Sequence, residues 1–313
     1  MKKILLTILG VLCLILIGTL VLLRDQKGDT DEYLAYVSTL DSFETGHGTL
    51  RYRDVGEGNP ILLVHGVPTS SFMYRNLADE LASRGYRVIV PDLLGFGASD
   101  RLEDESGYAF DKQATTLIDL MDHLGIETWD QVTHDIGGLV TWNMVHQVPD
   151  RIEHLYLLNT ILYDETFNPI VNLSPENVLH RWALGLHANR IIGKAIVMGM
   201  LRTGTNHYSF TRGEAAGYWY PLRLGAGALV HFFTHTGEIQ SKLDTYRSWL
   251  IESGIPVSII WGEDDPFLDV EAAYLLQNDM SLPDDQVIIL TGKRHLVAEE
   301  AYQEIANVIT NYE

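Results

Sequence analysis

An aspartate sits where a strand pattern breaks sharply into a helix. Residues 131–138 read Gln-Val-Thr-His-Asp-Ile-Gly-Gly, and a helical pattern follows over 139–148. At such an apex Asp135 is held clear of the backbone, and the neighbouring glycines let the turn close and the helix pack on the strand. A carboxylate with an ordinary pKa is already ionised at neutral pH and needs no base to attack. It suits in-line displacement at a saturated carbon, which leaves an ester on Asp135, and is poorly suited to peptide or lipid esters. Two later loops offer partners. Residues 261–267 carry the acids Glu263, Asp264 and Asp265, and residues 292–295 end in His295. A histidine oriented by an acid can activate water against such an ester.

The elements that must hold these loops alternate. Strands are expected near 43–45 and 49–54, then over the apolar run 61–64, which is buried on both faces of a parallel sheet. A helix follows from an N-cap at Thr69 to about residue 84. Strands at 86–90, 131–133, 154–158, 256–261 and 287–290 are separated by helices at 115–124, 139–148, 271–278 and 298–310. This rhythm predicts an α/β fold with a mostly parallel sheet. It breaks over residues 163–240, a helical stretch rich in Trp, Tyr, His and Gly, read as a lid over the sheet's C-terminal edge. The expected organisation is a membrane anchor or signal segment over 1–24, a linker over 25–42, core over 43–162, lid over 163–240 and core again over 241–313.

The formal net charge of −20 argues against nucleic acid and anionic membrane surfaces as partners. Lys2 and Lys3 precede an uncharged apolar run over residues 4–23. At ~1.5 Å per residue the run spans a bilayer core of ~30 Å. No clear cleavage site follows, so an uncleaved anchor with the domain outside the cytoplasm is preferred to secretion after signal cleavage. The single cysteine, Cys13, lies within the run, so no disulfide forms within the chain.

From about residue 43 onward the chain resembles the α/β-hydrolase superfamily. Within it the chain is similar to the aspartate-nucleophile branch of epoxide hydrolases and haloalkane dehalogenases. His65-Gly66-Val67-Pro68 resembles the His-Gly-x-Pro loop of that branch, residues 92–100 its next loop, and His134-Asp135-Ile136-Gly137-Gly138 its elbow. The order of nucleophile, acid and histidine matches as well. The resemblance implies Asp135 as nucleophile, His295 as the base that activates water, and Asp265 as its partner. Asp265 is taken over Asp264 because the motif places its acid directly before the proline. The backbone N–H groups of Val67 and Ile136 occupy the oxyanion-hole positions. No metal or organic cofactor is needed, and the partners are water and a small apolar substrate.

The leaving group is less plainly written. Dehalogenases of the branch usually hold the halide with a Trp after the nucleophile and often an Asn in the His-Gly-x-Pro loop, where this chain has Ile136 and Val67. Trp182 or Trp219 in the lid offers an alternative donor. Epoxide opening calls for an acid, usually lid tyrosines, and Tyr208, Tyr218 and Tyr220 are available. Epoxide hydrolysis is therefore preferred, with dehalogenation second and a non-catalytic binding protein on the same fold third. His231 and His235 have zinc-like spacing but no third ligand, and are read as structural.

Overall fold

The computed structural model describes residues 25–167, 176–206 and 208–311. The expected anchor over 1–24 lies outside the described residues. Among the described residues no helix is long and apolar enough to cross a membrane.

Eight strands form one sheet in the order β1-β2-β4-β3-β5-β6-β7-β8. They are β1 (Asp41–Glu44), β2 (Thr49–Val55), β3 (Asn59–Val64), β4 (Tyr86–Asp92), β5 (Trp129–Asp135), β6 (Ile152–Thr160), β7 (Val257–Gly262) and β8 (Val287–Leu290). β1 and β2 pair antiparallel at one edge, and every pairing from β4 across to β8 is parallel. The apolar runs give both faces of the sheet a core, because side chains alternate along a strand. In β3, Leu62 and Val64 join one cluster while Ile61 and Leu63 join the other. Leu155 and Leu157 against Tyr156 and Leu158 do the same in β6.

The expected strands are all present, most of them longer than their apolar stretch alone indicated. Two helices differ. A 3-10 turn over Ser71–Tyr74 precedes the helix Arg75–Ser83, and Ser70 rather than Thr69 caps the turn. Thr69 instead turns its hydroxyl to the Gly66 carbonyl at 2.9 Å, which braces the loop after β3. The final helix is broken into Val297–Glu300 and Tyr302–Thr310.

Between β6 and β7 the described residues form five α-helices: Val178–Gly185, Ile192–Gly204, Arg212–Leu222, Gly227–Thr234 and Thr236–Ser253. Residues 25–42 are more than a tether. They hold the helix Asp31–Val37, which packs on Arg212–Leu222, and Tyr33 is buried there.

Candidate active site

β5 ends at Asp135, whose φ of 54° puts it in the left-handed region. A non-glycine residue rarely adopts that conformation, and here it turns the carboxylate out of the sheet toward the loop after β3. Close approach makes glycine necessary around it. A Cβ on Gly66 would overlap the Asp135 side chain, and one on Gly138 would overlap the Thr160 hydroxyl. That hydroxyl donates to the Asp135 carbonyl at 2.9 Å and steadies the turn.

Three loops at the C-terminal ends of β5, β7 and β8 bring the expected residues together. His295 Nδ1 donates to Asp265 Oδ2 at 2.8 Å. The other ring nitrogen, Nε2, faces Asp135 Oδ2 at 3.6 Å. The Val67 N–H donates to Asp135 Oδ1 at 2.7 Å, and the Ile136 N–H also acts on this carboxylate. Two backbone N–H groups therefore point at the Asp135 carboxylate oxygens.

Asp265 is held on every side. It accepts from the N–H groups of Phe267 at 2.8 Å and Leu268 at 3.1 Å, and from Asn159 Nδ2 at 2.6 Å. Burial raises its pKa, but the His295 charge and these donors outweigh burial and hold it below the usual value. Burial likewise opposes charge on His295, yet Asp265 and Asp135 together raise its pKa above that of a free imidazole. Burial raises the pKa of Asp135, countered in part by His295 and the two N–H donors.

Two residues that the sequence assigned little or no role support the site. Asn159, at the end of β6, has a φ of 33°. Its amide donates to Asp265, and its carbonyl oxygen accepts the Gly262 N–H at 3.0 Å. Asparagine tolerates the left-handed region better than most residues, so Asn at a strand end was the available signal. His134 does more than fill space. Its Nε2–H donates to the His295 carbonyl at 2.9 Å and fixes the histidine loop to β5.

The carboxylate and imidazole open into a cavity of about 70 Å³, room for several water-sized groups. Beyond the catalytic groups its walls are largely apolar, formed by Phe167, Leu201, Phe232, Phe233, Phe267 and Leu296 among others.

The lid aromatics expected at the leaving group are not on this wall, which corrects that expectation. Tyr218 is buried and donates to Glu299, which Arg75 also binds. Tyr208 donates to Glu214 at 2.9 Å. Tyr220 packs against Tyr33 with ring centroids 6.0 Å apart. Trp219 lies under two cations, Arg223 at 4.0 Å and Lys194 at 4.4 Å from its ring centre. Trp182 is exposed. Tyr208 and Tyr218 are drawn away from the cavity by Glu214 and Glu299, the two carboxylates that Arg75 also binds. His231 and His235 stack at 4.1 Å, and no metal-binding cluster occurs among the described residues.

Residues 59–302 match the family described as alpha/beta hydrolase fold. The chain belongs to that family. A haloalkane dehalogenase 2 from Mycobacterium bovis is 26% identical over 277 residues, covering 85% of this chain and 92% of the relative. A cis-3-alkyl-4-alkyloxetan-2-one decarboxylase from Shewanella oneidensis is 26% identical over 282 residues, covering 84% of each. Among solved structures, an epoxide hydrolase from Vigna radiata superposes with a TM-score of 0.68 at 20% identity, over 88% of this chain and 98% of the other. That last likeness is one of fold.

Proposed function

We propose that this α/β-fold hydrolase opens small apolar electrophiles at a saturated carbon through an ester on Asp135. One observation carries the reading. A carboxylate, two backbone N–H donors and an Asp-held imidazole converge at one end of an apolar cavity. In the first step an Asp135 oxygen bonds to the substrate carbon, and the leaving group departs with the electron pair of the broken bond. In the second, His295 Nε2 takes a proton from water, and the resulting hydroxide adds to the Asp135 carboxyl carbon. The oxyanion so formed rests on the N–H groups of Val67 and Ile136. Collapse breaks the ester, and the alcohol leaves with the proton from His295.

The cavity wall bears on the leaving group. An opening epoxide becomes an alkoxide that needs a proton, and Tyr208, Tyr218 and Tyr220 are engaged elsewhere. A halide or a carboxylate departs without one. This supports dehalogenation, or opening of a strained lactone, over the epoxide reading preferred from the sequence. The Mycobacterium relative is a haloalkane dehalogenase, and the Shewanella relative, a decarboxylase, acts on an oxetan-2-one, which is a strained lactone. The test is a product assay on a matched panel of haloalkanes, alkyl oxetanones and epoxides, with Asp135→Asn as control. Halide release or oxetanone consumption that Asp135→Asn abolishes is expected. Diol formation from epoxides as the dominant activity would reverse the preference.

We further read residues 4–23 as an uncleaved anchor that holds the domain at the outer face of a membrane. The unbroken apolar run supports this reading.

A further inference from the structure

The segment that follows the apolar run is locked onto the lid. Asp25 pairs with Arg223 at 2.8 Å and with Arg190 and Lys194 at 3.1 Å each. Asp29 pairs with Arg212 at 2.8 Å. Arg223 also donates to the Arg190 carbonyl at 3.1 Å, tying the two basic segments together. Only Arg24 separates Asp25 from Leu23, the last residue of the run.

The same part of the lid exposes large apolar side chains. Ile191 and Leu224 directly follow the two arginines that grip Asp25, and are 43% and 58% exposed. Val178, Leu179 and Trp182, at 76%, 73% and 65%, share one face of the helix Val178–Gly185. Exposed apolar groups concentrated on one element mark a contact surface rather than ordinary scatter. A tryptophan suits the bilayer interface, since its ring is apolar and its N–H is polar.

We propose that this face of the lid rests on the lipid surface. Val178, Leu179, Trp182, Ile191 and Leu224 enter the headgroup boundary, and the Asp25 cluster fixes the lid beside the point where the chain leaves the bilayer. The proposal depends on the anchor reading of residues 4–23 and goes beyond it. An anchor alone would leave the domain free to tumble on its stem, whereas the ion pairs and the apolar face set one orientation. It also joins the surface to the chemistry. The helix Ile192–Gly204 begins at the ion-paired cluster, and its other end supplies Met200, Leu201 and Gly204 to the cavity wall. An apolar substrate dissolved in lipid would then reach the cavity across the lid.

The test uses the full chain, residues 1–24 included, in phosphatidylcholine vesicles. Flotation reports the anchor, and quenching of tryptophan by brominated phosphatidylcholine reports the lid. Trp129, Trp142, Trp219 and Trp261 are buried, and Trp249 stacks on His146, so Trp182 is the tryptophan available to lipid. The expected result is clear quenching of the wild type that falls by more than half in Trp182→Ala, with both proteins floating. The pair Ile191→Glu with Leu224→Glu, at exposed positions, should also reduce quenching while flotation persists. A chain that floats but is quenched equally with and without Trp182 overturns the lid contact and leaves the anchor standing. A chain that does not float overturns both.

Discussion

In the proposed reaction the Asp265–His295 pair sets the dependence on pH. In that reaction hydrolysis of the ester needs His295 neutral, and with Asp135 esterified and uncharged it is Asp265 that holds the His295 pKa up against burial. The rate of that step should therefore climb with pH as His295 loses its proton, with a midpoint set by the Asp265 charge. Formation of the ester needs Asp135 ionised, and burial raises its pKa. That step should fail on the acid side, at a pH above the usual carboxylate value of about 3.9. Asp265→Asn removes the charge that most raises His295. Single-turnover measurements should find the midpoint of the hydrolysis step lowered, and the step slowed by roughly 10²–10⁴-fold. An unchanged midpoint would contradict the role given to Asp265. Gly66 tests placement instead of charge. Its Cβ would press on the Asp135 side chain, so Gly66→Ala should displace the nucleophile and cost about 10²-fold in kcat/KM. Circular dichroism would check that the fold is retained.

At the scale of elements, the lid is joined to the core through a buried ionic cluster. Arg75, on the first helix after β3, binds Glu299 and, at 3.0 Å, Glu214 of the lid. Glu299 follows His295 by four residues, and Tyr218 of the lid donates to it. The cluster thus connects the lid helix Arg212–Leu222 to the segment that carries His295. Burial pushes the Glu299 pKa up, and Arg75 and Tyr218 offset this only in part. Removing one partner of a buried pair leaves the other charge uncompensated. Arg75→Ala should destabilise the fold by about 3–5 kcal/mol, read as a lower urea midpoint. A change below about 1 kcal/mol would show that the cluster does not hold the lid. None of this was visible in the sequence. Arg75, Glu214 and Glu299 are far apart along the chain, and each alone looks like a solvated surface residue. The lid tyrosines misled for the same reason. An aromatic-rich stretch shows that side chains will be buried but not which cavity they face.

Across the whole molecule, what could be read in advance was what local pattern dictates. The apolar run 61–64 marked a strand because a strand buried on both faces needs continuous apolar residues. The elbow was legible because Asp135, Gly137 and Gly138 serve a turn that only small neighbours permit. Val67, Ile136, Asp265 and His295 came from motif order, and the structure gathers them around Asp135, with Val67 and His295 on the cavity wall. The docking of Asp25 on the lid depends on distant partners and carried no local signature, and Asn159 offered only the weak one of an Asn at a strand end. The central claim is that chemistry passes through an ester on Asp135, and mass spectrometry of the intact protein tests it most directly. His295→Gln keeps the nucleophile and removes the base. After exposure to a substrate that the wild type turns over, its mass should rise by that of the transferred alkyl or acid-bearing group, and peptide mapping should place the adduct on Asp135. A His295→Gln protein that consumes this substrate with no adduct, or with the adduct on another residue, would contradict the account.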